Sequence, residues 1–126
     1  MSKVKVLIVE DEMIVAWDLK ATFERLGNEV LPIAAGAEQA VKQTRTEAPD
    51  LILMDITLKG TKTGIDAAME IRQFSQAPII YLTGNAHLVG DPGIHATLAQ
   101  GFYVKPHSER QLREMLKIAR KKRSVE

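Results

Sequence analysis

Four short stretches of this sequence end in residues suited to phosphoryl chemistry. An apolar run from Val4 to Val9, broken only by Lys5, gives way to Glu10-Asp11, and Leu51 to Met54 gives way to Asp55. Ile79 to Leu82 leads into Thr83-Gly84, and Phe102-Tyr103-Val104 leads into Lys105-Pro106. If the four runs lie side by side, three carboxylates, a hydroxyl and an ammonium share one rim. Carboxylates brought together disfavour one another's ionisation. A hard dication relieves the repulsion, and Mg²⁺ prefers oxygen ligands, octahedral geometry, a few carboxylates and retained waters. Glu10, Asp11 and Asp55 are therefore candidate Mg²⁺ ligands, together with a backbone carbonyl just after Asp55. Asp55 is also a candidate nucleophile, since an aspartyl phosphate is a recognised covalent outcome. Thr83 and Lys105 can bind phosphoryl oxygens, the lysine as a point charge. Phosphoryl transfer asks for positioning and charge neutralisation more than for covalent assistance.

The spacing of the other apolar residues supplies the elements that bring these ends together. Short apolar runs read as strands buried on both faces. Val30 to Ala34 is a weaker strand containing Pro32, which cannot donate to a ladder, so it belongs at a sheet edge. Ala16, Leu19, Phe23 and Leu26 repeat at helical spacing before Gly27. Ala37, Ala40, Val41, Thr44 and Ala48 make a second stripe, ended by Pro49. Ile65, Ala68, Ile71 and Arg72 suggest a third helix. Asp91 before Pro92 is a helix start signal, placing a fourth helix at roughly 92–100 and leaving Gly84 to Gly90 as a long loop. Ser108-Glu109-Arg110-Gln111 has the capping-box form, with Leu112, Met115, Leu116 and Ala119 as the apolar face behind it. Strict alternation of strand and helix implies an α/β fold, a doubly wound five-stranded parallel sheet with helices on both faces. With the Pro32 strand at an edge, the flavodoxin-like order 2-1-3-4-5 follows, with right-handed crossovers. In that order the crevice lies between strands 1 and 3, where Glu10, Asp11 and Asp55 stand.

The four stretches, in order and at these separations, resemble the receiver domain of two-component response regulators over almost the whole chain. The resemblance implies a (βα)5 receiver whose phosphoacceptor is Asp55 and whose acidic pair is Glu10 and Asp11, with the Thr57 backbone carbonyl completing the Mg²⁺ ligands. It implies Thr83 as the switch hydroxyl, Lys105 as its cationic partner, a cis Lys105-Pro106 bond and Phe102 as the switch aromatic. Thr57 and Asn85 fall where the family tunes dephosphorylation. The implied donor is a phosphohistidine on a histidine kinase or phosphotransfer protein, and the implied output is docking to a downstream protein. The sequence departs from the common pattern in Leu58-Lys59, in a longer stretch from Asp55 to Gly64, in His107, in Phe102 rather than tyrosine, and in the glycine-rich 84–93 segment.

Composition bounds the rest. The chain has 126 residues, read as one receiver domain over 1–126, with 45% hydrophobic and 26% charged residues. No cysteine is present, which excludes disulfides, thiolate zinc sites and thiol catalysis. No cleavable signal pattern or membrane-length apolar run occurs, so a cytoplasmic protein without a membrane segment is expected. The absence of a DNA-binding domain is expected, as is a monomer or weak dimer. The net charge of +1 names no partner, but Lys117, Arg120, Lys121, Lys122 and Arg123 cluster near the end. That cluster reads either as a solvated terminus complementing the helix dipole or as a docking patch for an acidic partner. Trp17, beside the first stripe, reads as an interface residue or as incidental packing. His87, His95 and His107 lack metal-ligand spacing and read as surface residues. Lys59 and Lys62 read as a solvated loop or as an attraction for phosphodonors.

Three competing functions stay in view. Asp55-Ile56-Thr57 has the Asp-x-Thr form of aspartate-nucleophile phosphatases, a reading that turnover of small phosphoesters would separate from a switch. The same fold can serve as a phosphorylation-independent interaction module, or the chain can be an excised receiver of a larger regulator or hybrid kinase. A flavin or nucleotide site is disfavoured, because Glu10-Asp11 stands where a glycine-rich phosphate loop would be.

Overall fold

The computed structural model describes residues 3–125, with side chains described through Lys122. Five strands run in parallel: β1 (Lys5–Val9), β2 (Glu29–Val30), β3 (Leu51–Met54), β4 (Ile79–Thr83) and β5 (Gly101–Val104). They alternate with helices α1 (Met13–Arg25), α2 (Ala37–Glu47), α3 (Gly64–Ile71), α4 (Pro92–Ala96) and α5 (Glu109–Val125). The sheet order is β2-β1-β3-β4-β5, as the alternation predicts.

Successive strand residues feed opposite faces, as a period of two requires. Leu7, Val9, Ile52, Met54, Ile79 and Tyr81 pack with α2, α3 and α4. Val6, Ile8, Leu51, Leu53, Ile80 and Leu82 pack with α1 and α5. Both faces are covered, which is why the strands read as unbroken apolar runs.

Most helix patterns fall where the spacing puts them. Ala16, Leu19 and Phe23 are buried on α1, while Leu26 closes it partly buried and Gly27 takes φ +91. The Ser108 capping box forms: the Gln111 amide donates to Ser108 Oγ at 3.2 Å, and the Ser108 amide donates to Gln111 Oε1 at 2.9 Å.

Four expectations need correction. The edge strand is only Glu29–Val30; Pro32 interrupts it, and pairing resumes as a single bridge between Val9 and Ala34. Ala48 does not extend the second stripe; it caps α2 in the left-handed region at φ 47 and is exposed. The fourth helix spans only 92–96 rather than 92–100. It starts as expected, the Asp91 carboxylate accepting from the Gly93 amide at 2.7 Å, but Leu98 turns left-handed at φ 54. The chain is then caught by the sheet, Gln100 donating to the Ile79 carbonyl at 2.8 Å. The loop before α4 is not structureless: Ala86–Gly90 form a 3₁₀ turn in which the His87 amide donates to the Asn85 side chain at 3.0 Å.

Candidate functional site

The register of the sheet builds the site. Val9 pairs with Met54, so Glu10 and Asp55 emerge side by side, and the Asp55 amide donates to the Val9 carbonyl at 3.0 Å. Thr83 pairs with Val104, and the Lys105 amide donates to the Thr83 carbonyl at 2.8 Å. Glu10, Asp55 and Thr83 are all buried, with exposures of 2%, 5% and 1%.

Lys105 closes the group from β5. Its Nζ donates to Glu10 Oε1 at 2.6 Å and to Asp55 Oδ2 at 3.0 Å. Backbone amides hold three more carboxylate oxygens. Glu12 donates to Glu10 Oε2 at 3.0 Å, Thr57 to Asp55 Oδ1 at 3.1 Å, and Lys59 to Asp11 Oδ2 at 2.8 Å. Glu10, Asp11 and Asp55 each present an oxygen within 4.8 Å of the others.

The electrostatics follow from this crowding. Burial raises the Glu10 carboxyl above its ordinary range, against the pull of the Lys105 hydrogen bond. Burial works to lower Lys105, but its hydrogen bonds to Glu10 and Asp55 outweigh that, and its pKa ends raised. Three carboxylates face one ammonium, so the site carries a surplus of negative charge when all are ionised. An all-oxygen donor set with that surplus fits a hard dication.

Thr83 stands at the same rim, its Oγ1 accepting from the Asn85 amide at 3.4 Å. Among the described residues no hydrogen bond joins it to Asp55. For Thr57 the structure shows the amide on Asp55, and the residue is exposed. Phe102 lies opposite Tyr81 in the ladder and packs, partly buried, on the α4 side of the sheet. The Lys105-Pro106 bond is cis.

Several neighbours carry no distinctive mark in the sequence. A Cβ on Gly64 would lie 2.0 Å from the Asp55 carbonyl oxygen, so only glycine lets α3 start so close to Asp55. Thr63 and Asp66 lock that start with a reciprocal cap, and the Thr-x-x-Asp spacing was the available signal. His107 is not a free surface residue. Its Nε2 lies 3.1 Å from Asp18 Oδ2, tying the segment after Pro106 to α1. His87 and His95 are exposed, as are Lys59 and Lys62. Trp17 is 61% exposed and Ile14, one turn before it, 81%.

A family model, the response regulator receiver domain, matches residues 6–117. The chain belongs to this receiver family. Among curated relatives of the receiver, the transcriptional regulatory protein PdtaR of Mycobacterium tuberculosis is 32% identical over 115 residues, covering 91% of this chain and 56% of PdtaR. The receiver spans roughly a third to just over half the length of the curated relatives it matches. Among solved structures, a receiver domain protein from Methanospirillum hungatei aligns with a TM-score of 0.90 at 26% identity, covering 99% of this chain and all of that one. The response regulator TrrA of Thermotoga maritima, solved in complex with Mg²⁺ and BeF, aligns at 0.84 with 31% identity, over 94% of this chain and 99% of its own. Receivers solved with Mg²⁺ thus share the fold on which this chain assembles its acidic cluster. No helix among the described residues is long and apolar enough to cross a membrane.

Proposed function

We propose that this receiver is a Mg²⁺-dependent switch that accepts a phosphoryl group on Asp55 from a phosphohistidine of a histidine kinase or phosphotransfer protein. The observation that carries the reading is the placement of Lys105 Nζ between Glu10 and Asp55, beside three carboxylates with oxygens within 4.8 Å of one another. Glu10, Asp11 and Asp55 would hold the ion, with the Thr57 carbonyl as a further ligand. When bound, Mg²⁺ offsets the charge on the phosphoryl oxygens.

The chain's own groups supply the rest. Lys105 and the Thr57 amide hold the Asp55 carboxylate oriented. A carboxylate oxygen attacks phosphorus, the phosphorus–nitrogen bond to the donor imidazole breaks, and its electron pair leaves on that nitrogen. Lys105 and the Thr83 hydroxyl then serve the phosphoryl oxygens. A population shift follows as Thr83 and Phe102 repack, presenting a new surface to a downstream protein. Water attack on the same phosphorus resets the switch. On this reading the chain is one receiver domain over 1–126, a self-limiting switch rather than a turnover enzyme. It works as a monomer or weak dimer in the cytoplasm.

The test is intact mass after incubation with acetyl phosphate and Mg²⁺, with beryllofluoride binding as a second assay. One phosphoryl adduct, lost with EDTA and absent in Asp55→Asn, is the expected result. Absence of both the adduct and a Mg²⁺-dependent beryllofluoride complex would leave the interaction-module reading in its place.

A further inference from the structure

The chain's charge is divided unevenly. Helix α5 holds seven of the 17 Lys and Arg residues but only two of the 16 Asp and Glu, a balance of +5, while the rest of the chain carries −4. Arg110, Arg113, Lys117 and Arg120 recur every three or four residues and so share one face of the helix. That face does not lie bare. With the end of α1 it forms a groove of about 530 Å³ whose lining includes those four cations, Leu26 and Leu116.

The groove lies away from the phosphoacceptor. Arg120 reaches Asn28, and Asn28 in turn accepts from the Val4 amide at the start of β1. The Asp55 rim is at the opposite ends of the strands. The groove has no role in the chemistry proposed above.

We propose that this groove docks an acidic polypeptide segment in which an apolar residue is flanked by carboxylates. The partly buried Leu26 offers an apolar floor, with the buried core residue Leu116 directly beneath the groove. The rim is mainly arginine, whose planar fork pairs with carboxylates in bidentate geometry; Arg113 already donates to Glu109 through Nε and Nη2, so a ligand would compete for it. Arg110 is 90% exposed and its Glu114 contact is long, at 4.0 Å. Lys117 makes no ion pair among the described residues.

The alternatives fit less well. Glu109 and Glu114 interrupt the cationic stripe, and a continuous phosphate backbone would have to face both. Discrete carboxylates on a peptide can be spaced to avoid them. A lipid surface is flat and cannot follow a concave groove down to Leu116.

The experiment titrates the full ¹⁵N-labelled chain with a short synthetic helical peptide of Leu and Glu. Controls are the same peptide with Gln for Glu, duplex DNA of mixed sequence, and phosphatidylglycerol vesicles. The expected result is shift changes confined to residues 110–120 and Leu26, binding weakened about tenfold by the Arg113→Glu, Lys117→Glu double substitution, and little response to the Gln peptide. Unchanged binding in Asp55→Asn is also expected, which separates this site from the phosphoryl switch. The single Lys117→Glu variant, on an exposed position, keeps the test valid should the double variant fold poorly. No saturable peptide binding, equal binding of the Gln peptide, shifts centred elsewhere, or tighter binding of DNA or vesicles would each overturn the proposal.

Discussion

Lys105 is the residue on which the site's balance rests. Its ammonium is the partner of two carboxylates that are almost fully buried. Removing one member of a buried ion pair leaves an uncompensated charge. Lys105→Met is therefore expected to lose about 3 kcal/mol of stability at neutral pH in EDTA, read by urea denaturation. Without Lys105 the buried Glu10 carboxyl keeps a raised pKa. A raised group stabilises the fold while protonated and loses that contribution as pH rises. The deficit should thus shrink as pH falls through the carboxylate range. Mg²⁺ should also shrink it and should bind the variant more tightly, because a competing cation has gone. An unchanged deficit with and without Mg²⁺ would contradict the metal-ligand assignment. At this scale the placement of Glu10, Asp11, Asp55, Thr83 and Lys105 was readable, because each follows a buried apolar run and parallel register aligns the ends. Gly64 and the Asp18–His107 contact were not, because they depend on how closely separate loops approach.

At the scale of elements, α4 is the least regular part of the fold, and a buried polar cluster fastens it. Tyr81 Oη and Thr97 Oγ1 lie 2.8 Å apart, and the Thr97 hydroxyl also reaches the Ile94 carbonyl at 2.9 Å. Arg72, just past α3, donates to the Thr97 and Ala77 carbonyls at 2.6 and 2.7 Å. A helix of five residues cannot hold itself, so these side chains do much of the holding. Tyr81→Phe is expected to cost about 1 kcal/mol and to speed amide exchange in α4 while leaving α2 unchanged. Burial raises the Tyr81 phenol above its usual value, only partly offset by Thr97 and Arg72. Its contribution is complete below the ordinary tyrosine value of about 10 and falls away as pH rises beyond it. Thermal melts across that range should show a gentler alkaline decline in Tyr81→Phe than in the parent. The start of α4 was legible from Asp91-Pro92, but its end was not. Leu98 adopts a left-handed backbone that leucine does not favour, and the sheet's hold on Gln100 enforces it.

Across the whole molecule, two apolar clusters share one sheet, and neither can be lost without exposing the other's strands. Unfolding in urea, followed by far-UV circular dichroism, should accordingly be a single cooperative transition. Trp17 is the chain's one tryptophan and lies 61% exposed on α1, so its emission should already be red-shifted in the native state and change little on unfolding. A strongly blue-shifted native emission would mean that another copy of the chain covers α1 in solution. The order of the sheet was legible because Pro32 forced its strand to an edge; the shortness of that strand was not, since only the resumed bridge at Ala34 reveals where pairing stops. The same proline leaves the sheet with unequal margins. The β2 margin is two residues long and broken by a ring that cannot donate, whereas the β5 margin runs unbroken from Gly101 to an exposed Val104. Margins of the first kind resist template growth and those of the second invite it. If concentrated or partly melted samples of this protein clump, the aggregate should nucleate from the β5 side, and a charged replacement of Val104 is the natural gatekeeper against it.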